Sequence, residues 1–174
     1  MNPTFVMDLK YIKTMKKIFL TIATAALFSV TVFAADGGKK TTGASANISY
    51  AVQQEFATDF TDAENVVWTV TKNCQKADFT VYGVKKTAFY NFTGDFLGTT
   101  QVIGYNAIPG KSQKLIADIY KDYTAVNVIV YQANESINSD IAPTSYFVDL
   151  KSSAHEVLVR VTETGGIVFF KQVQ

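Results

Sequence analysis

The chain has 174 residues, of which 48% are apolar and 22 are Phe or Tyr, and its formal net charge is +1. This composition excludes disorder, which needs low hydrophobicity and high net charge, and its near-neutral balance offers no basic footprint for nucleic acid or anionic lipid. One cysteine, Cys74, rules out an intramolecular disulfide and a cysteine metal cluster, and reads as a small, half-buried hydrophobe.

In chain order the first feature is an export signal. Lys16 and Lys17 precede an apolar run from Ile18 to Phe33, and Val32-Phe33-Ala34 puts small residues at positions −3 and −1 of a cleavage site. The run is shorter than the ~20 residues of a spanning helix and lacks a basic stop-transfer flank, so cleavage is expected and no membrane anchor remains after it. Residues 1–34 are therefore read as a signal peptide, with Met15 an alternative start. They hold four lysines and one aspartate, leaving 12 Lys and Arg against 14 Asp and Glu, near −2 for the mature part.

Residues 35–46 are small, polar and aperiodic, as in a flexible leader. Asn47 can cap a helix whose apolar residues Ile48, Val52 and Phe56 fall on one stripe of a 3.6-residue period. Strand-like runs follow at 65–72, 77–83, 87–92 and 97–105, with Thr93-Gly94-Asp95 as a hairpin turn. A second helix opens with Pro109 in its first turn and carries Leu115, Ile116, Ile119, Tyr120 and Tyr123 as its apolar stripe. Further runs at 126–133, 146–151, 156–162 and 167–172 complete the chain, the last two joined by Thr164-Gly165-Gly166.

The element order thus occurs twice, and Asn65-Val66-Val67-Trp68 parallels Asn127-Val128-Ile129-Val130. The expected fold is α+β: an antiparallel sheet, or two merged sheets, with both helices on one face. It is built from two helix-plus-four-strand repeats, about 47–105 and 108–174.

Alternation places Val66, Trp68, Val70, Phe79, Val81, Ala88, Tyr90 and Phe92 under the helix. The opposite face receives Val67, Tyr82, Phe89 and Phe96, and, from the second half, Ile129, Tyr131, Phe147, Leu158 and Phe170. That face is too apolar for plain solvent, so Tyr82, Phe89, Phe96, Tyr131 and Phe147 are the candidate partner-binding residues. A periplasmic or extracellular protein, or a second copy of this chain in a homodimer, would cover them.

Catalytic chemistry finds no foothold. His155 is the single histidine and falls in a turn between strands; Asp59, Asp62 and Glu64 lack calcium-loop spacing; Gly94, Gly98 and Gly104 punctuate hairpins without forming a phosphate loop. No catalytic residue, metal ligand or cofactor is assigned.

The segments Phe56-Ala57-Thr58-Asp59-Phe60, Ala63-Glu64-Asn65-Val66-Val67-Trp68, Ala77-Asp78-Phe79 and Ala88-Phe89-Tyr90 resemble the PepSY-like, or beta-lactamase-inhibitor-like, family of periplasmic proteins. Ile108-Pro109 followed by Ile119-Tyr120-Lys121-Asp122-Tyr123 fits the same pattern, so the resemblance spans about 47–174. It implies a helix-covered sheet that presents a surface to a partner protein, with no enzymatic role. The alternative reading is a carrier of a small apolar ligand in the cell envelope.

Overall fold

The computed structural model describes residues 48–137 and 142–173. The signal segment 1–34, the leader 35–46 and the proposed cap Asn47 lie outside the described residues. Helix α1 (Tyr50–Asp59) is instead capped by Ser49, whose extended backbone lets Oγ accept from the Val52 amide at 3.3 Å. Four strands follow: β1 (Glu64–Val70), β2 (Gln75–Val81), β3 (Val84–Tyr90) and β4 (Phe96–Val102). After a 3-10 turn at Tyr105–Ala107 comes helix α2 (Gly110–Ile119), then β5 (Thr124–Ala133), β6 (Thr144–Lys151), β7 (Glu156–Val161) and β8 (Ile167–Gln172). Pro109 occupies the cap position of α2 rather than its first turn, and the helix stops at Ile119, leaving Tyr120 and Tyr123 in the connection to β5.

All eight strands form one antiparallel sheet in sequence order, β1 to β8. The two helices cover the same face, as the pairing shows. Ala88, in contact with α1, lies opposite Thr99, which lies opposite Gln132, and Gln132 shares its side of β5 with Val128 beneath α2.

Beneath α1 the core is aromatic: Phe56 meets Phe79 at 5.0 Å and 90°, and Trp68 at 5.2 Å and 70°. Beneath α2 it is aliphatic, built from Ile108, Ile116, Val128, Val148, Leu150, Val159 and Val161. Ser112, fully buried in α2, donates its Oγ proton to the Gly165 carbonyl at 3.0 Å and ties the helix to the β7–β8 turn. Among the residues expected under α1, Phe92 is 57% exposed in the β3–β4 turn and Val70 is 42% exposed at the end of β1.

One irregularity decides which side chains share a face. Tyr90 pairs with Phe96 but Phe89 pairs with Gly98, so Leu97 is an extra residue and the alternation of β4 slips by one. Gly98 has φ 145°, and a Cβ there would run into the Gln132 carbonyl of β5; the bulge requires glycine.

Candidate functional site on the second face of the sheet

The face opposite the helices is assembled by register. One row runs Val67, Asp78, Thr87, Thr100, Tyr131 and Ser145, each directly across from the next. A second runs Val102, Ile129, Phe147, Arg160 and Val168. Phe89 stands opposite Lys76, and Asp149 lies between Asn127 and Leu158.

Of the five candidate partner-binding residues, Phe89, Tyr131 and Phe147 lie on this face and the other two do not. Phe96 is corrected to the helix side, where its ring contacts Phe60 at 5.8 Å and Tyr90 at 5.4 Å; the Leu97 bulge turned it over. Tyr82 is corrected from the sheet face to the β2–β3 hairpin tip. There φ 49° at Tyr82 and 77° at Gly83 make the two-residue turn that suits right-twisted strands. A left-handed backbone is unfavourable for so bulky a residue. Its ring is 83% exposed, while its hydroxyl donates to Asp62 Oδ2 at 2.7 Å, which also raises the phenol pKa.

Exposure on the face is also less than alternation suggests. Phe89 and Leu158 are 1% exposed, Ile129 and Phe147 are likewise buried, and none belongs to either helix-covered cluster. Phe147 packs edge-on against Phe170 at 5.1 Å. Tyr131 donates its hydroxyl to the Leu97 carbonyl at 2.9 Å, and burial pushes its pKa up to about 12. Val102 in β4 and Val168 in β8 are exposed apolar groups on this side.

Two carboxylates missed by sequence reasoning lie on the face. Asp78 accepts from Lys76 Nζ at 3.0 Å and from Thr87 Oγ1 at 2.7 Å. Asp149 is buried, and among the described residues its Oδ1 has no hydrogen-bond partner. Burial raises its pKa, Glu156 adds to the rise, and Lys151 opposes it.

Elsewhere the chemistry is sparse. His155 sits exposed in the β6–β7 turn, its backbone amide donating to Ser152 Oγ at 3.0 Å. Among the described residues no group of three His, Cys, Asp or Glu side chains is arranged to hold a metal. Nor is any described helix long and apolar enough to cross a membrane. Cys74 is buried, which raises its thiol pKa. On the helix side, an open depression of about 440 Å³ lies between α2 and β5, lined by Tyr105, Ile116, Tyr120, Tyr123 and Leu150.

No protein-family model and no curated protein matches the sequence. The fold does have solved relatives in shape. A BLIP-like protein from Bacteroides fragilis superposes with a TM-score of 0.59 at 20% identity, covering 72% of this chain and 86% of that one. A DUF2874 family protein from Bacteroides uniformis gives 0.61 at 16% identity, covering 70% and 86%. A protein from Bacteroides eggerthii described as periplasmic gives 0.62 at 14% identity, covering 73% and 88%. The architecture is therefore that of the BLIP-like and DUF2874 structures, one sheet with helices on a single face.

Proposed function

We propose that this chain is an exported, non-enzymatic binding module that engages a protein partner through the second face of its sheet. The observation that carries this reading is asymmetry. Both helices lie on one side, while the other side bears an ordered set of aromatic, aliphatic and charged groups with Val102 and Val168 still open. A partner seated on this face would cover these open groups together with the Ile129, Phe147 and Arg160 row between them. The Tyr82 tip extends the same reading: a rigidly held, exposed ring in an unfavourable backbone conformation fits an anchor better than a connector.

The BLIP-like and periplasmic descriptions of the similar structures support a role in the cell envelope, and the signal read at 1–34 supplies the route. Within this proposal the order of one helix and four strands, occurring twice, is a duplicated unit whose two sheets have merged at β4 and β5.

Affinity capture from envelope extract tests it with variants that leave the core alone. Val102→Asp and Val168→Asp, both at open positions, should each remove a specific captured protein that the parent chain retains. An unchanged captured set in the double variant would contradict the use of this face. The carrier alternative is favoured by the tyrosine-lined depression beside α2. Native mass spectrometry of purified protein would reveal a retained apolar ligand if that reading is right, and bare protein if it is wrong.

A further inference from the structure

The two halves of the sheet carry a carboxylate at corresponding positions, and only one of them is satisfied. Asp78 is the fourth residue of β2, flanked by Ala77 and Phe79 of the core beneath α1. Asp149 is flanked in β6 by Val148 and Leu150 of the core beneath α2. Both therefore point to the second face.

Asp78 has Lys76 two residues earlier on its own strand and Thr87 directly across, and both donate to it. The same two positions around Asp149 hold Phe147 and Leu158, which carry no donor. A buried acceptor left without a donor is costly, and such groups are rare in folded chains unless something outside the chain completes them.

We infer that Asp149 receives a basic side chain, a lysine or arginine, from the partner protein that docks on the second face. The inference rests on the partner-face reading above. The incoming group supplies in the second half what Lys76 supplies in the first: a cationic N–H donated to a carboxylate in partly desolvated surroundings. Phe147 and Phe170 form an apolar wall suited to the aliphatic stem of that side chain. Phe170 is the unpaired residue of a bulge in the edge strand β8, Val159 pairing with Phe169 and Leu158 with Lys171.

Among the described residues, four charged groups face this region. Lys151 is held by Glu156 at 3.2 Å. Arg160 stands across from Phe147 and Lys171 across from Leu158, and neither forms an ion pair with Asp149 among the described residues. Burial and Glu156 raise the carboxyl's pKa, consistent with a group awaiting its counter-charge.

The test follows the Asp149 side-chain carboxyl by ¹³C NMR in the full mature chain while n-butylammonium chloride is added, with sodium chloride at equal ionic strength as the blank. The expected result is a saturable shift of the Asp149 signal and a fall in its apparent pKa with the ammonium, and neither with sodium. Backbone amide shifts around Leu158 should saturate in parallel, and their apparent affinity should weaken at least tenfold in Asp149→Asn. Phe147→Lys, which installs the internal donor seen beside Asp78, should lower the Asp149 pKa and abolish the ammonium response.

No saturable response, or an undiminished one in Asp149→Asn, overturns the inference. So does a rise in the Asp149 pKa in Arg160→Gln that reveals Arg160 as its resident partner. Capture with the Val102→Asp and Val168→Asp variants reports on the face as a whole. If those variants lose the partner while the ammonium response is absent, the face stands and the role of Asp149 falls.

Discussion

The first four strands and the last four have the same order and the same pairing, yet they solve two problems differently. Beneath α1 the space is filled by interlocking rings, Phe56, Phe60, Trp68, Phe79, Tyr90 and Phe96, whereas the buried core beneath α2 is aliphatic, with Tyr105, Tyr120, Tyr123 and Tyr146 packed around it. On the other side of the sheet, Asp78 is closed into an internal ion pair and Asp149 is left open. On this face the first half satisfies its carboxylate from within, whereas among the described residues the second half leaves its carboxylate unmet; beneath α1 the buried Tyr90 hydroxyl is likewise without a partner. The same strand order and pairing thus accommodate two different fillings beneath the helices and two different carboxylate environments on the opposite face.

The largest expected effect breaks the aromatic half. Phe56→Ala should cost about 3–5 kcal/mol in urea unfolding, because edge-on contacts with Phe79 and Trp68 vanish and a cavity is left. It should also shift the fluorescence of Trp68, whereas Ile116→Ala, which costs roughly 2–5 kcal/mol in the aliphatic half, should leave the native emission unchanged. Equal spectral effects from the two would mean that the clusters are not separate.

Next in size, Asp78→Asn should destabilise by roughly 2 kcal/mol at neutral pH, since it leaves Lys76, 10% exposed in its side chain, without its counter-charge. The matching change in the second half should have the opposite sign. The folded-state pKa of Asp149 is raised, so the folded chain binds the proton more tightly than the unfolded one. Stability then falls as pH rises from the ordinary carboxylate value through the folded one, and the penalty is complete above both. Asp149→Asn removes that penalty and should stabilise at neutral pH, with the gain fading under acid. Thermal melts of both asparagine variants across pH check this. Two losses of the same sign would erase the distinction between the halves.

The smallest effect concerns Ser112, which links α2 to the last hairpin. Ser112→Ala should cost about 1 kcal/mol by orphaning the Gly165 carbonyl, read from the urea midpoint.

Much of the fold was legible locally. The helix periods around Val52 and Ile116, the number and order of the strands and the Thr164-Gly165-Gly166 turn follow from spacing and turn chemistry, while the strand ends differ by up to three residues, as at 77–83 against Gln75–Val81 and 97–105 against Phe96–Val102. The failures have particular causes. Phe96 was assigned to the wrong face because alternation presumes an unbroken ladder, and the sign of the break was Gly98, a glycine inside a strand pattern. Tyr82 was read as a strand residue because the two-residue turn it makes with Gly83 is usually built from Asn, Asp or Gly. The state of Asp149 was beyond local reading, since it depends on Leu158 standing across from it, a fact of strand register. Alternation puts Phe89 and Phe147 on the second face, as the register does, but their burial depends on neighbours from several strands.

The most direct test of the second face as a docking surface is site-specific photocrosslinking in the envelope of an expressing cell. A photoreactive residue replaces Val102 or Val168 on that face, or Ile119, 62% exposed on α2, as the helix-side control. One discrete protein adduct is expected from Val102 and from Val168 and none from Ile119. An adduct from Ile119 alone, or none from either sheet position, would contradict it.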